Sequence, residues 1–243
     1  MRYRAGVAYV GTFFHGWQVQ ENAPRTVQGV LEESLVAVFG KPARVHAAGR
    51  TDAGVHAEGQ VVHFDGPERP YEAILAANRR LPWDVRILSA DPAPGEFHAR
   101  ASARAKLYRY RFSRERTIPP REILWTAPLS SRADAVLLAQ AARRMEGPHD
   151  FFPFSTSGTD TATTQRTLHA CMVEEDGPRV TIGLVADGFL RGMARAIVGT
   201  LADIARGHVP IDLIDEIFAS NSRALVRPKA KPGGLTLERV DYG

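Results

Sequence analysis

The chain has 243 residues, 44% of them hydrophobic and 24% charged, so it can bury a substantial core and has no bias toward disorder. Its single cysteine, Cys171, excludes an intrachain disulfide and a multi-thiolate metal site, which favours a reducing cytoplasm. The net charge is +4 with a pI near 9.4, and no apolar run approaches the roughly 20 residues that span a bilayer.

The first predicted elements surround a glycine-rich loop. A strand at 4–10 leads into an aromatic, exposed-looking loop at 11–20. Thr26 then fits an N-cap, and apolar residues recur at helical spacing as far as Val38, before Gly40 and Pro42 end the helix. Strands at 44–48 and 60–64 flank the loop, which contains Gly49, Gly54 and Gly59.

The rest of the chain also mixes helices with strands. The predicted elements are a short helix at 71–79, strands at 85–89 and 106–112, a hinge at 117–120, a helix from Ser131 to Met145, a hairpin of strands 164–174 and 179–186, helices at 189–206 and 212–219, and a strand at 235–242. This order predicts an α+β fold with a largely antiparallel sheet shared by two similar lobes, 1–116 and 117–243.

A basic stripe runs from Arg100 to Arg121, where Glu115 is the one acidic residue. Its cations are Arg100, Arg104, Lys106, Arg109, Arg111, Arg114, Arg116 and Arg121. Such a stripe is either a solvated strand face or a face that binds a polyanion. Aromatic residues alternate with the cations at Tyr108, Tyr110 and Phe112, which favours RNA, because bases stack on rings while phosphates pair with guanidinium groups.

Asp52 lies at the centre of the glycine-rich loop. By residue type alone, Thr51-Asp52-Ala53-Gly54 is an ordinary turn in which the aspartate accepts a local N–H group. The longer string changes that interpretation. GRTDAGVHA at 49–57, followed by GQVVHF at 59–64, resembles the catalytic signature of the tRNA pseudouridine synthases of the TruA type.

The resemblance covers nearly the whole chain. It includes YVGTFFHGWQ at 9–18, RTVQGVLE at 25–32, FHAR at 97–100, YRY at 108–110, FLRGMARAIVG at 189–199 and GLTL at 234–237. Two positions depart from the family pattern, since Val10 replaces the usual aspartate and Ala194 a commoner valine. The resemblance implies the pseudouridine synthase fold, with a central basic active-site cleft between the two lobes.

The family converts uridine to pseudouridine in the anticodon stem-loop of tRNA, at tRNA positions 38, 39 and 40. The resemblance therefore implies that activity, with neither cofactor nor metal. It also implies a homodimer that holds tRNA across both subunits.

The resemblance assigns roles to particular residues. Asp52 would be the nucleophile, and Arg195 would form the salt bridge that keeps the carboxylate charged, because burial alone would neutralise it. Tyr108 would stack on the target base, and Arg50 would occupy the space left by the flipped base. Arg100, Lys106 and Arg109 are the further expected substrate-binding residues.

Structural interpretations compete with these roles. Without the resemblance, Arg191 and Arg195 are two arginines on a solvated helix face, and Tyr108 is a core aromatic. His56 and His63 lie on opposite faces of a strand, which makes a poor metal site, so we expect structural or RNA-contact roles.

Two other functions stay open from the residues. One is a non-catalytic RNA-binding module that uses strand 106–112. The other is a hydrolase built on Asp52 and His56, which is disfavoured because HExxH, GxSxG and phosphate-cradling motifs are lacking.

Overall fold

A computed structural model describes residues 1–158 and 161–243. These residues pack into two compact units. The first contains Met1–Arg104 and Leu237–Gly243, and the second contains Ala105–Thr236. The lobes expected at 1–116 and 117–243 stay a prediction.

The first unit is a sheet covered by a helix. Its elements are strand β1 (Arg2–Tyr9), helix α1 (Val27–Phe39), strands β2 (His46–Ala47) and β3 (His56–Asp65), helix α2 (Tyr71–Leu75), a 3₁₀ helix (Ala76–Arg79) and strand β4 (Val85–Ala93). β1 pairs antiparallel with β3 on one side and with β4 on the other, while β2 pairs with β3. The predicted mixture of helices and strands is therefore confirmed here, although the strand expected at 44–48 is only two residues long.

Helix α1 begins and ends as its sequence predicts. The Thr26 side chain accepts a hydrogen bond from the backbone N–H of Gly29, and Gly40 ends the helix in the left-handed conformation at φ 70°. Leu31 and Leu35 of α1 lie with Val62 and Phe64 of β3 around the same small apolar cavity. This packing defines the core of the first unit.

Strand β3 is buried on both faces. Its residues from Gln60 to Phe64 are all buried, including the polar side chains of Gln60 and His63. The alternation in the sequence assigns Gln60 and His63 to opposite faces, but it does not show that both faces are covered. Two buried polar side chains in one strand need hydrogen-bond partners, and both have them.

The second unit is also α+β. Its elements are strands β5 (Ala105–Ser113) and β6 (Ala127–Pro128), helix α3 (Ala135–Arg144), strands β7 (Gly147–Asp150), β8 (Gln165–Asp176) and β9 (Arg179–Ala186), helices α4 (Met193–Ala205) and α5 (Leu213–Ser220), and strand β10 (Leu235–Asp241), which continues into the first unit from Leu237. The order β5-β9-β8-β7 is antiparallel throughout, and β6 adds one short parallel pairing to β5. The α+β class with a mostly antiparallel sheet is confirmed.

Two predicted helix starts are wrong. Asp134, not Ser131, caps α3, since its Oδ1 accepts the N–H of Leu137 at 3.0 Å. Helix α4 begins at Met193 rather than near Phe189, because Gly192 adopts φ 76° and breaks the helical path. Among the described residues, no helix is both long and apolar enough to cross a bilayer.

Candidate active site

The loop between β2 and β3 places Asp52 in a tight turn. The N–H of Val55 donates to the carbonyl of Asp52 at 3.1 Å, and Gly54 has φ 81°, a conformation that favours glycine. The Asp52 side chain is half-buried, while Thr51 before it is buried. The predicted turn is therefore confirmed, with Gly54 as the glycine that needs a positive φ, whereas the expected local hydrogen bond to the Asp52 carboxylate stays a prediction.

Buried polar side chains fix the two residues on either side of Arg50. The hydroxyls of Tyr9 and Thr51 are hydrogen-bonded at 2.9 Å. The amide of Gln60 donates to the carbonyl of Gly49 at 2.8 Å and to the Tyr9 hydroxyl at 3.3 Å. Burial raises the pKa of Tyr9 to about 12, so this hydroxyl stays neutral. The network holds the loop backbone immediately before Asp52.

The segment 11–20 supports the loop from another side. The N–H of Trp17 donates to the carbonyl of Thr51 at 3.1 Å, and the Trp17 ring lies 6.1 Å from the Tyr9 ring. Gly16 has φ 88°, and a Cβ there would lie 3.0 Å from the Thr51 carbonyl oxygen. The expectation that this aromatic segment is exposed is wrong for Phe14 and Trp17, which are buried.

His56 has a structural role. Its ring is fully buried, and its Nδ1 accepts the backbone N–H of Gly11 at 3.1 Å. A Cβ on Gly11 would lie 1.9 Å from the carbonyl oxygen of Val55, so the two backbones are in close contact. The structural role expected for His56 is confirmed. This bond also weighs against a hydrolase that uses His56 as its base, because the lone pair of Nδ1 already accepts the hydrogen bond from the Gly11 N–H.

An ion pair that the sequence reasoning missed holds the 11–17 segment. Two nitrogens of Arg25 donate to the carboxylate of Asp84 at 2.8 and 2.9 Å, and the Asp84 side chain is only 1% exposed. The Arg25 guanidinium also lies 4.0 Å from the centre of the Phe14 ring and donates to the Phe13 carbonyl. The only sequence signal was that Arg25 opens the family string at 25–32.

Two of the expected substrate-binding residues lie near each other in the first unit. Arg50 and Arg100 are both exposed. Partial desolvation, and then the charge of Arg50, lower the pKa of Arg100. Two neighbouring guanidinium groups repel each other, and a bound phosphate would relieve that repulsion.

Strand β5 of the second unit carries Lys106, Tyr108 and Arg109. Tyr108 is 5% exposed, and its ring meets the Phe189 ring edge-on at 4.8 Å. Lys106 is largely buried and Arg109 is half-buried. Tyr110 and Phe112 are core residues, which agrees with the core interpretation of the strand aromatics.

Tyr110 shows this burial most clearly. It is fully buried, its hydroxyl donates to the Lys231 carbonyl at 2.9 Å, and burial raises its pKa. Its ring packs 4.5 Å from that of Phe112. Tyr110 and Phe112 therefore belong to the core, and the stacking role of Tyr108, whose side chain is also buried, stays a prediction.

Part of the basic stripe is neutralised by carboxylates that lie outside it. Arg114 pairs with Glu175 at 2.6 Å, and Arg121 contacts Glu122 at 3.4 Å. Arg111 donates to the Thr236 hydroxyl at 2.9 Å. Counting charges from 100 to 121 missed Glu175, because this residue of β8 comes close to Arg114 only in the folded sheet.

Helix α4 orients Arg195 through its backbone surroundings. The Nε of Arg195 donates to the Ala230 carbonyl at 2.8 Å, and the Ala230 N–H donates back to the Arg195 carbonyl at 3.0 Å. A Cβ on Gly199 would lie 2.0 Å from the Pro228 carbonyl oxygen. The expected close approach of another segment to this small residue is therefore confirmed. Arg191, expected on the same helix, precedes it.

The expected site residues are divided between the two units. Asp52, Arg50 and Arg100 belong to the first unit, whereas Lys106, Tyr108, Arg109 and Arg195 belong to the second. The ion pair between Asp52 and Arg195, like the central cleft, stays a prediction. Within residues 1–158 and 161–243, no three His, Cys, Asp or Glu side chains are placed to hold a metal ion.

Comparisons with known proteins point to one family. A family model described as tRNA pseudouridine synthase matches residues 5–100 and 141–243. Proteins named tRNA pseudouridine synthase A are 38% identical in Nitratidesulfovibrio vulgaris strain Hildenborough, 37% in Listeria innocua and 39% in a Bradyrhizobium species. Each comparison covers 99% of this chain and 96 to 99% of the relative.

Proposed function

The chain belongs to the tRNA pseudouridine synthase family, and from this premise we propose that Asp52 is the nucleophile with which it isomerises uridine in the anticodon stem-loop of tRNA. Its relatives are tRNA pseudouridine synthases, so the chain is an isomerase that converts uridine of tRNA to pseudouridine. The residue roles and the position of the target uridines belong to the proposal.

The reaction rearranges bonds without gain or loss of atoms. Attack by the Asp52 carboxylate on C1′ of the ribose forms an ester bond to C1′ and breaks the bond between C1′ and N1 of uracil. The detached uracil rotates, and its C5 bonds to C1′ as the ester bond breaks and releases the carboxylate. The proton that C5 loses is balanced by one that N1 gains. Such a step needs a carboxylate that is fixed and charged and a base that cannot diffuse away.

The observation that carries the proposal is the anchoring of the Asp52 loop. Gly49 and Thr51 are both held by the buried Tyr9–Gln60 network, so the backbone just before Asp52 has little freedom. A reactive group gains most when surrounding hydrogen bonds fix its position in advance. The half-buried side chain is partly shielded from water yet open to a substrate.

Arg195 is proposed to keep Asp52 ionised. A guanidinium near a carboxylate favours its charged form, whereas water exclusion alone favours the neutral form. The bond from Nε to Ala230 supports this role, since it fixes the plane of the guanidinium.

The remaining site residues are proposed to bind the RNA. Tyr108 would stack on the flipped base, with its ring held edge-on by Phe189. Arg50 would fill the vacated space in the stem. Phosphate contacts are assigned to Arg100, Lys106 and Arg109.

The same proposal includes a cytoplasmic homodimer with tRNA held across both copies. The mass of the protein in solution, alone and with tRNA, tests the dimer. A monomer at all concentrations that still modifies tRNA would contradict it.

The test of the catalytic role compares Asp52→Asn with wild type on unmodified tRNA, with pseudouridine mapped at each position. We expect the variant to form no product while its tRNA affinity stays near that of wild type, because the substitution removes the nucleophile and no phosphate contact. Asp91→Asn is the matched control, since Asp91 is an exposed carboxylate on β4. Product formation by Asp52→Asn at an unchanged rate would refute the assignment, and wild type that binds tRNA without modifying it would support a non-catalytic RNA-binding protein.

A further inference from the structure

The turn that carries Arg100 is held by histidine rings. Ala99 is completely buried, and its N–H donates to Nδ1 of His63 at 3.1 Å. Its carbonyl accepts the hydroxyl proton of Tyr242 at 2.7 Å. Both backbone groups of Ala99 are therefore bonded to side chains from β3 and from the end of the chain, which fixes the start of the turn.

His98 caps the same turn. Its Nδ1 accepts the N–H groups of Arg100 at 3.1 Å and of Ala101 at 3.2 Å. The backbone of His98 exchanges two further bonds with Ser102, whose hydroxyl accepts the His98 N–H at 3.1 Å. A ring nitrogen that accepts a hydrogen bond from an N–H group carries no proton of its own. His63 and His98 therefore both carry their proton on Nε2.

The rings pack on one another rather than converge on an ion. The His63 ring lies 4.6 Å from that of His98 and 4.8 Å from that of His46. Arg2 approaches from β1, where it donates to the carbonyls of Gly95 and Phe97 and pairs with Asp65 at 2.8 Å. The segment leading to Arg100 is thus fixed at Gly95, Phe97 and Ala99, all within the first unit.

The hydrogen bonds to this turn fix the backbone position of Arg100. Arg100 is exposed within this hydrogen-bonded turn, near Arg50. An arginine on a rigid turn loses less backbone freedom when it binds a phosphate than an arginine on a mobile loop.

We propose that His63 and His98 are positioning residues, which accept the N–H groups of Ala99, Arg100 and Ala101 and so hold Arg100 where it contacts a phosphate of the RNA. This inference rests on the proposed function, because it deepens the RNA-binding role assigned to Arg100. Neither histidine touches RNA in this scheme. Their contribution is the acceptor nitrogen, which an asparagine Oδ1 can replace and an alanine cannot.

The test measures tRNA affinity against salt concentration for wild type, His98→Ala, His98→Asn and Arg100→Gln. We expect His98→Ala and Arg100→Gln to weaken binding roughly fivefold, the size of one exposed ion pair. Each should also reduce the slope of log affinity against log salt by about one, as expected for loss of one phosphate contact. His98→Asn should restore affinity and slope. His169→Ala, at an exposed histidine of β8, is the matched control and should match wild type.

The double variant His98→Ala/Arg100→Gln separates positioning from general destabilisation. If His98 acts through Arg100, the double variant binds no more weakly than Arg100→Gln alone. Additive losses, or a His98→Asn variant as weak as His98→Ala, would overturn the proposal. The same measurements are made at the buried His63 ring, where His63→Leu removes the acceptor and His63→Asn replaces it.

The experiment measures tRNA affinity and pseudouridine formation separately. Wild type that binds tRNA but forms no pseudouridine contradicts the proposed function and leaves the salt slopes as a valid test of positioning. Wild type that forms pseudouridine while His98→Ala keeps its affinity and slope contradicts only the positioning role.

Discussion

The Asp52 loop and helix α4 hold their key side chains in different ways. The loop depends on hydrogen bonds from side chains, chiefly those of Tyr9 and Gln60. The helix instead depends on its regular backbone and on the close approach of 228–230, with Gly199 at the contact. We therefore expect the loop to lose its fixed position when one polar group is removed. The helix contact should be destabilised instead when side-chain volume is added.

Adding a methyl group to the helix contact should have the largest effect. In Gly199→Ala the new Cβ would lie 2.0 Å from the Pro228 carbonyl oxygen, so the backbone must move. We expect a loss of about 3 kcal/mol in the free energy of unfolding, the upper part of the range for overpacking. Urea denaturation measures it. Gly95→Ala is the control, because a Cβ there meets no atom within 4 Å. Equal stability of the two variants would show that 228–230 yields easily.

Changing the charged group of Arg195 on helix α4 tests the effect of its orientation without adding side-chain volume. Arg195→Lys keeps the charge but loses the Nε donor to Ala230. We expect the rate of pseudouridine formation to fall roughly a hundredfold, the scale for one misplaced charge-stabilising donor, while tRNA affinity changes little. Single-turnover kinetics measure the rate. Arg191→Lys, exposed and outside the helix, is the control, and full activity of Arg195→Lys would rule out a need for the fixed guanidinium.

Removing one polar group from the loop should cost slightly less. Gln60→Leu leaves the Gly49 carbonyl without its donor in a buried site, which costs about 2 kcal/mol in the free energy of unfolding. It should also speed amide exchange across 49–55 and slow catalysis. Hydrogen exchange and denaturation measure these effects, with the exposed Gln165→Leu as control. Unchanged exchange in Gln60→Leu would mean that Tyr9 alone holds the loop.

The smallest expected effect appears only in acid. Burial, and then the charges of His46 and His98, lower the pKa of His63 from 6.5 to about 4. His63 therefore binds a proton below pH 6.5 in the unfolded chain, but only below about pH 4 in the folded chain. This contribution to stability is complete above pH 6.5 and is lost as the pH falls toward 4.

His63→Asn should remove that part of the pH dependence. Its free energy of unfolding should decrease less than that of wild type between pH 6.5 and about 4, as measured by denaturation at several pH values. His46, whose pKa is also lowered, remains in both proteins and cancels in the comparison. Parallel curves for the two proteins would mean that the His63 ring is protonated in the folded state.

The sequence by itself determined features that depend on neighbouring residues. Thr26 and Gly40 bound α1, Gly54 makes the turn beside Asp52, and the β8–β9 hairpin turns at 177–178. Each follows from capping or from the dihedral freedom of glycine, which act over a few positions. The family membership came from strings of the same short range, which is why the candidate site residues could be named at all.

Only the tertiary structure decided which side chains from distant segments meet. It paired Arg25 with Asp84, joined Tyr9 and Gln60 to the Asp52 loop, and placed Tyr110 in the core. It also paired Arg114 with the Glu175 carboxylate, which neutralises one cation of the basic stripe. These contacts join residues up to 121 positions apart, at distances that sheet register and helix packing set. Residue type shows that a buried polar group needs a partner, but only the folded chain selects it.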